Sequence, residues 1–117
     1  MRFYPLAADD IPAERILADF LPARTLGRLR LGNECLYFKR GFRTFYIPYA
    51  AVGRCVRRAV ILPDALRKEG QAPEWETLVF YGADDAELAQ VSVPGATALR
   101  VTMTELARRL PPGALGL

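Results

Sequence analysis

Residues 26–61 read LGRLRLGNECLYFKRGFRTFYIPYAAVGRCVRRAVI, and this stretch decides the fold class. In LGRLRLG the leucines alternate with arginines, a period of two that is typical of a strand with one solvent-facing side. Runs rich in β-branched and aromatic residues then follow one another at short intervals. The sequence therefore predicts four strands in an antiparallel meander: TLGRLRLG, ECLYFKR, FRTFYIPY and AAVGRCVRRAVIL.

Glycine and proline residues mark the predicted breaks between these strands. Gly32 and Asn33 predict a tight first turn with positive φ, because these two residue types tolerate that backbone conformation. Gly41 predicts the second turn. Pro48 is expected to end the third strand, since proline has no N–H to donate to a sheet.

The flanks of this stretch predict two helices and a further hairpin. The opening residues 1–10 are expected to be irregular, and DIPAERILADFLP predicts a short helix with Asp10 as its N-cap. ALRVTMTELARRL predicts a C-terminal amphipathic helix that Thr97 caps. ETLVFYG and AELAQVSVP predict the hairpin, and residues 63–75 predict a mobile loop before it. The predicted apolar stripes are Ile16, Leu17, Phe20 and Leu21 in the first helix and Leu99, Met103, Leu106 and Leu110 in the second.

The order of elements predicts a single domain over residues 1–117. An N-terminal segment with a short helix covers residues 1–25, an antiparallel barrel covers 26–93, and the C-terminal helix covers 96–110. A chain of 117 residues is long enough for one hydrophobic core. The expected fold class is mostly β (α+β), a small bent antiparallel barrel with a helix at each end.

Composition places the chain among ordinary globular proteins. Hydrophobic residues make up 51% and charged residues 25% of the sequence, which is far from the composition of disordered chains. No apolar run approaches the roughly 20 residues that span a bilayer, and the N-terminus lacks the apolar segment of a secretory signal. A cytoplasmic location is the expectation, with Cys35 and Cys55 reduced and partly buried, and a disulfide between them is the weaker alternative.

Positive charge is concentrated in the strand-rich part of the chain. Residues 24–58 contain nine basic residues and one acidic residue, Glu34, whereas the whole protein has a net charge of +3. Arginines on the solvent face of a sheet explain such a pattern without any ligand, and we favour this interpretation. The alternative is that the cations converge into a surface that attracts an anion or a partner. The candidate binding residues are Arg28, Arg30, Lys39, Arg40, Arg43, Arg54, Arg57 and Arg58.

Two adjacent arginines near the end of the basic segment conflict with simple alternation. Arg54 and Arg58 are predicted to share one face of their strand, and Arg57 to point to the other. Either Arg57 or Arg58 is therefore expected to face inward, to lie at a bulge, or to meet an acid such as Glu76 or Glu87.

The residues of common catalytic sites are missing from the sequence. There is no histidine, which removes the usual base at neutral pH, the usual metal ligand and the Ser-His or Cys-His pairs. Gly27, Gly32 and Gly41 are spaced as hairpin turns and do not form a glycine-rich phosphate loop. We expect a protein that is not an enzyme, with no catalytic residues, no metal and no cofactor.

The segment LGNECLYFKRGFRTFYIPYAAVGRC, residues 31–55, resembles bacterial pleckstrin-homology (PH) and GRAM-type domains. In those domains a strand ends in Ile-Pro and the next opens with an aliphatic residue, as Ile47, Pro48 and Val52 do here. The order of elements over residues 26–110 is similar too, although an SH3-like or split barrel gives much the same pattern. The resemblance implies a PH-like barrel that acts in binding and scaffolding, usually of proteins and sometimes of anionic lipid headgroups.

The sequence departs from the PH-like domains that bind phosphoinositides. Those domains hold the headgroup in a long basic first hairpin loop, with R-x-R in the second strand. Here the R-x-R of Arg28 and Arg30 lies in the first predicted strand, and the first turn is only about two residues long. That lipid pocket is therefore not carried over, and the second turn at Lys39, Arg40 and Gly41 is a different basic tip.

Three binding functions fit the sequence. The first is a non-catalytic PH-like module for protein partners or for self-association as a homo-oligomer. The second is a barrel that binds single-stranded nucleic acid, in which exposed aromatics among the arginines stack on bases. The third is binding to an anionic membrane surface through the tip at residues 39–42. The aromatics expected in the core or at its rim are Phe38, Phe45, Tyr49, Trp75 and Phe80, and those expected on the surface are Tyr37, Phe42 and Tyr46.

Overall fold

The computed structural model describes residues 2–7, 11–61, 74–93 and 95–115, and at residues 59–61, 74 and 75 it describes the backbone alone. The predicted N-cap Asp10 and the predicted mobile loop up to residue 73 lie outside the described residues. The side chain of Trp75, predicted in the core or at its rim, lies outside them as well.

Within the described residues the chain forms eight strands and two helices, which is the predicted mostly-β α+β class. A short 3₁₀ turn at Tyr49–Ala51 separates the fifth and sixth strands. The helices lie near the two ends of the chain, as expected. The elements are β1 (Phe3–Pro5), α1 (Ala13–Phe20), β2 (Arg24–Leu26), β3 (Leu29–Leu31), β4 (Cys35–Arg40), β5 (Arg43–Pro48), β6 (Arg54–Ile61), β7 (Glu74–Tyr81), β8 (Glu87–Val93) and α2 (Ala96–Arg109).

The first sheet has the strand order β1-β5-β4-β3-β2. From β2 to β5 it is an antiparallel meander, and β1 adds to β5 in parallel with Phe3 opposite Thr44. The expectation of irregular structure at the N-terminus is therefore wrong for Phe3–Pro5. The first predicted strand is also divided in two, because Gly27 has a φ of +60° and turns the chain between β2 and β3.

The second sheet has the strand order β6-β7-β8 and is antiparallel throughout. The run AAVGRCVRRAVIL was predicted as the fourth strand of the first meander, and this is wrong. Its strand, β6, pairs with β7 instead of β5. The reason lies at Pro48, which ends β5, and in the 3₁₀ turn that follows and redirects the chain.

The main core lies between the two sheets and is closed by α2. Leu36 and Ile47 from the first sheet, Leu78 and Phe80 from the second, and Leu106 from α2 are all fully buried. Fully burying one such side chain contributes about 1.5–3 kcal/mol. The predicted stripe of α2 is confirmed, with Leu99, Leu106 and Leu110 buried and Met103 half-buried.

A smaller core forms where α1 packs on the outer face of the first sheet, which is the face turned away from the second sheet. Ile16 and Phe20 of α1 pack there with Tyr37 and Tyr46. The prediction that both tyrosines are exposed is wrong, because α1 covers them. Leu17 and Leu21 were predicted on the buried stripe of α1 and are exposed instead.

The buried side of α1 contains Asp19, whereas these two leucines are exposed. Its carboxylate oxygens accept hydrogen bonds from the backbone N–H groups of Asn33, Glu34 and Cys35 and from the hydroxyl of Tyr37. The β3–β4 turn is therefore held by the helix and not by positive φ, since neither Gly32 nor Asn33 has a positive φ. The predicted conformation of this turn is wrong, although its position is right.

The carbonyl of Gly32 joins the same turn to the C-terminal helix. It accepts hydrogen bonds from the Tyr49 hydroxyl at 2.7 Å and from Arg109 Nε at 3.2 Å. Arg109 in turn donates to the carboxylate of Glu105 at 2.6 Å, and Arg24 of β2 donates to the same carboxylate at 2.9 Å. Contacts to the β3–β4 turn thus fix both helices to the first sheet.

The N-terminus of α2 differs from the prediction. Gly95, with a φ of +92°, is the N-cap. Thr97, the predicted cap, lies inside the helix. The N-cap of α1 is Pro12, which has no N–H and suits a helix start.

Candidate functional site

The eight candidate cations lie in three places and not on one surface. The first place is the outer face of the first sheet, the second is the β4–β5 turn, and the third is β6. Lys39 belongs to the first two, because it lies at the end of β4 on the outer face. The groups are Arg28, Arg30 and Lys39 on the outer face, Arg40 and Arg43 at the turn, and Arg54, Arg57 and Arg58 on β6.

The hairpin between β4 and β5 ends in a protruding basic turn, which we name the β4–β5 tip and define as residues 39–43. Arg40 and Arg43 are paired across the hairpin, so Gly41 and Phe42 form a two-residue loop. Gly41 has a φ of +63° at the first loop position, a conformation that glycine adopts without strain. The Phe42 side chain is fully exposed. The tip therefore presents an aromatic ring with a cation on either side.

Aromatic rings hold the cations of the tip in place. The Arg40 guanidinium lies over the rings of Phe38 and Phe45, with centroid distances of 5.8 Å and 5.7 Å. Arg43 lies over the ring of Tyr4 at 5.1 Å. Within the described part of the chain, no acidic side chain pairs with a cation of the tip. Their charge is therefore uncompensated locally.

A cavity of about 380 Å³ opens on the outer face of the first sheet, beside the end of α1. We name it the outer-face cavity. Three candidate cations line it, and none of its described lining residues is acidic. Threonines from β2 and β5 add hydroxyl groups to its wall. The side chains that matter here are Thr25, Arg28, Arg30, Lys39 and Thr44, with Phe20 at the edge.

Two contacts fix the side chain of Arg30 in this cavity. Its guanidinium lies over the ring of Phe20, 4.0 Å from the centroid, and donates a hydrogen bond to the carbonyl of Leu21 at 2.8 Å. Its Nε is buried and has no hydrogen-bond partner in the described structure. The positive charge of Arg30 is thus fixed against the end of α1.

The cations of β6 are less available to an anion. Arg54 lies 3.6 Å from the carboxylate of Asp85 and over the ring of Tyr81. Arg58 donates to the Tyr81 hydroxyl at 3.4 Å. Arg57 shares the face of the buried core residues, yet it is exposed on an edge strand. Neither Glu76 nor Glu87, which the sequence suggested as acidic partners, pairs with Arg57 or Arg58 among the described residues.

The predictions for the aromatic side chains are confirmed in part. Phe38, Tyr49 and Phe80 are buried and Phe45 is half-buried, as predicted for the core and its rim. Of the three aromatics predicted on the surface, Phe42 alone is exposed. The prediction succeeds there because Phe42 follows Gly41 in a two-residue turn, where a side chain has no sheet face to pack against.

Sequence reasoning missed the threonines of the outer-face cavity. Register places Thr44 opposite Lys39 and Thr25 opposite Arg30, so each threonine shares a face with a cation. Strand alternation is the signal from which Thr44 could have been found. Thr25 had no such signal, because β2 was not recognised as a separate strand.

Other chemistry has little support in this geometry. Among the described residues, no three Cys, Asp or Glu side chains come together as ligands for a metal ion. Burial raises the pKa of the Cys55 thiol to about 12, so its reactive thiolate is suppressed. Neither helix of the described part has the length and apolar character that crossing a membrane requires.

No family model matches the chain, and comparison with curated proteins and with solved structures found no similar protein. The resemblance to PH-like domains stays a prediction.

Proposed function

We propose that the protein is a non-catalytic binding module that attaches reversibly to an anionic membrane surface through the β4–β5 tip. The observation that carries this proposal is the position of Phe42. Its ring is fully exposed at the end of a hairpin, between Arg40 and Arg43. A large apolar side chain in that position gains nothing from the fold, and its burial elsewhere would be favourable.

The chemistry of the tip matches the interface of a bilayer. Exposed Trp, Phe and Leu side chains of peripheral proteins bury themselves at the boundary between headgroups and acyl chains, and each cation near an anionic surface contributes about 1 kcal/mol. Lys39, Arg40 and Arg43 with the burial of Phe42 then supply about 5 kcal/mol in total. Such a sum supports attachment that is weak, reversible and dependent on salt. It calls for no deep lipid pocket.

The predicted location and the observed fold are compatible with this function. The anionic leaflet of a plasma membrane faces the cytoplasm, so the proposal includes the cytoplasmic location that the sequence predicts. A four-stranded meander, a three-stranded sheet and a C-terminal helix support the PH-like prediction, which implies a binding module. The proposed contact lies at the second hairpin of the resembling segment and differs from the phosphoinositide site of that family.

Vesicle sedimentation with the Phe42→Ser variant tests the proposal. We expect the protein to sediment with vesicles that contain phosphatidylserine and not with phosphatidylcholine alone. The Phe42→Ser variant should lose most of this binding, whereas Leu21→Ser, which removes an exposed apolar side chain at the end of α1, should keep it. Equal binding of wild type and Phe42→Ser would contradict the proposal.

Binding of a protein partner, including a second copy of this chain, is the second candidate. Leu17 and Leu21 favour it, because they lie one helical turn apart on the outer side of α1 and are 37% and 61% exposed. Light scattering over a range of concentrations tests self-association. A mass above that of the monomer, lowered in Leu21→Ser, supports the candidate. A monomeric mass at high concentration would exclude self-association.

Binding of single-stranded nucleic acid is not favoured by the arrangement of aromatics. Tyr37 and Tyr46, two of the three side chains predicted to stack on bases, are buried under α1. A single exposed ring at Phe42 makes a poor platform for successive bases. Binding of single-stranded RNA or DNA in a fluorescence titration at low salt would support this function.

A further inference from the structure

The outer-face cavity is a second feature of the basic segment, and it shares only Lys39 with the β4–β5 tip. We propose that this cavity binds the phosphate group of a small phosphomonoester. The proposal is independent of membrane attachment by Phe42, because the cavity lies against α1 and not at the end of the hairpin.

The charge of the cavity favours an anionic ligand. Arg28 comes from the β2–β3 turn, Arg30 from β3 and Lys39 from β4, so three separate backbone positions bring a cation to one wall. In the described part of the chain, no acidic side chain forms an ion pair with any of them. Asp19 lies on the same sheet face, but four donors already occupy its carboxylate. A phosphate dianion would balance the uncompensated charge.

One buried polar atom of the wall lacks a partner, and this supports a ligand in addition to the charge. It is Nε of Arg30, which has no hydrogen-bond partner in the described structure. The Thr44 side chain lines the same cavity, and the residue is 6% exposed. Polar groups in such surroundings are nearly always hydrogen-bonded in folded proteins, so the exception needs an explanation. A bound oxyanion accepts a hydrogen bond from the Thr44 hydroxyl and compensates the charge of Arg30.

The guanidinium of Arg30 is also positioned before any ligand arrives. The ring of Phe20 supports one face of it, and the carbonyl of Leu21 accepts one of its N–H groups. A side chain fixed in this way loses little conformational entropy on binding. The Nη1 group of Arg30, which makes no hydrogen bond in the described structure, remains for a ligand, together with the side chains of Arg28 and Lys39.

The size of the cavity limits the ligand. A volume of about 380 Å³ is at the low end of small-molecule sites, which run from about 300 to 1,000 Å³. A phosphate group fills part of this space and leaves room for a small polar body near Thr25. A phosphomonoester can come from a soluble metabolite or from a lipid headgroup such as that of phosphatidic acid. The shared chemistry is the phosphate, and the experiment separates the two sources.

Calorimetry with inorganic phosphate, at constant ionic strength with chloride as the reference anion, tests the soluble source. We expect saturable binding that the Thr44→Val and Arg28→Gln variants each weaken by about tenfold, since each loses one hydrogen bond to a charged group. Arg57→Gln removes a cation on β6 and should bind phosphate like the wild type. Circular dichroism shows whether Thr44→Val keeps its fold, and Arg28→Gln, at an exposed turn, gives an independent readout.

Vesicle binding tests the lipid source of the phosphate group. A lipid phosphomonoester is indicated if the protein binds phosphatidic acid vesicles more tightly than phosphatidylserine vesicles of equal charge. The Thr44→Val variant should then lose this preference. Phosphate binding that survives in Phe42→Ser shows that the cavity works without the tip. The proposal is overturned if phosphate binds no better than chloride and phosphatidic acid is not preferred, or if Thr44→Val and Arg28→Gln change neither binding.

Discussion

A Cβ atom on Gly32 would lie 2.6 Å from Cγ of Asp19, so close that the Asp19 carboxylate would have to move. Asp19 is 8% exposed and holds the β3–β4 turn through hydrogen bonds to three consecutive backbone N–H groups. Glycine at position 32 is therefore needed for the carboxylate to reach the turn. This contact fixes α1 against the outer face, and with it the wall of the outer-face cavity.

Gly32→Ala is expected to lower the free energy of unfolding by at least about 2 kcal/mol. The added methyl group displaces the Asp19 carboxylate and leaves buried N–H groups without an acceptor, at about 1–3 kcal/mol for each. Urea denaturation measures the change. Gly27→Ala is not a suitable control, because its positive φ adds strain.

Asp19→Asn tests the same contact without adding volume. The amide places an NH₂ group opposite donors that need an acceptor, and we expect a loss of about 2 kcal/mol. Glu14→Gln is the matched control, because it makes the same change from carboxylate to amide at an exposed position of the same helix. Equal stabilities of the two variants would show that the buried carboxylate contributes nothing to the fold.

The stability of the protein should fall in acid through Glu105. The hydrogen bond from Arg109 lowers the pKa of Glu105 below its ordinary value of 4.5, and the charges of Arg109, Arg24 and Arg108 act in the same direction. Because the folded state favours the carboxylate, this contribution is complete above about pH 4.5 and is lost as the pH falls through the lower folded pKa.

Urea denaturation of Glu105→Gln across the acid range measures this contribution. The variant should be less stable than the wild type at neutral pH, and the difference should shrink as the pH falls below the ordinary pKa of a glutamate. Glu14→Gln, in the first turn of α1, is the matched control for the loss of one carboxylate at an exposed position. A constant difference between Glu105→Gln and the wild type at every pH would contradict the assignment.

Both cysteine thiols should be inert in the folded protein. Cys35 and Cys55 are buried and no disulfide joins them, and desolvation raises the pKa of Cys55 to about 12. A thiol reagent at neutral pH should label neither residue under native conditions and both in denaturant. Fast labelling of Cys55 in the native state would show that the sheet edge at β6 opens.

Much of the fold was predictable because turns and alternation are local signals. The strands on either side of Gly41 and the stripe of α2 follow from residue types and spacing alone. The partner of β6 was not predictable, because the choice between β5 and β7 depends on contacts across the chain. The parallel addition of β1 to β5 has the same origin.

Some features of the candidate site were predictable from the sequence and others were not. Exposure of Phe42 could be predicted from its place in a two-residue turn, whereas burial of Tyr37 could not, since α1 covers it from a distant part of the sequence. Strand alternation relates Lys39 to Thr44 only when the register is known. The three separate places of the basic residues follow from the two-sheet arrangement, which the predicted four-stranded meander did not contain.

Charge reversal at the β4–β5 tip gives the last prediction. Arg40 has no acidic partner in the described structure and lies at the base of the two-residue loop that carries the exposed ring of Phe42. Arg40→Glu should abolish sedimentation with phosphatidylserine vesicles, because it replaces attraction by repulsion next to the apolar contact. Binding of the wild type should also weaken as salt is raised, since exposed charges are screened over about 10 Å at 0.1 M ionic strength.

Arg57→Glu is the control for this charge reversal, because it makes the same change in net charge on an exposed edge strand of the second sheet. We expect it to keep most of the vesicle binding. Thermal melts of both variants check the fold, since Arg40 also packs over the rings of Phe38 and Phe45. Equal losses in the two variants would mean that net charge, and not the tip, controls the binding. A loss confined to Arg40→Glu would place the contact at the hairpin that carries Phe42.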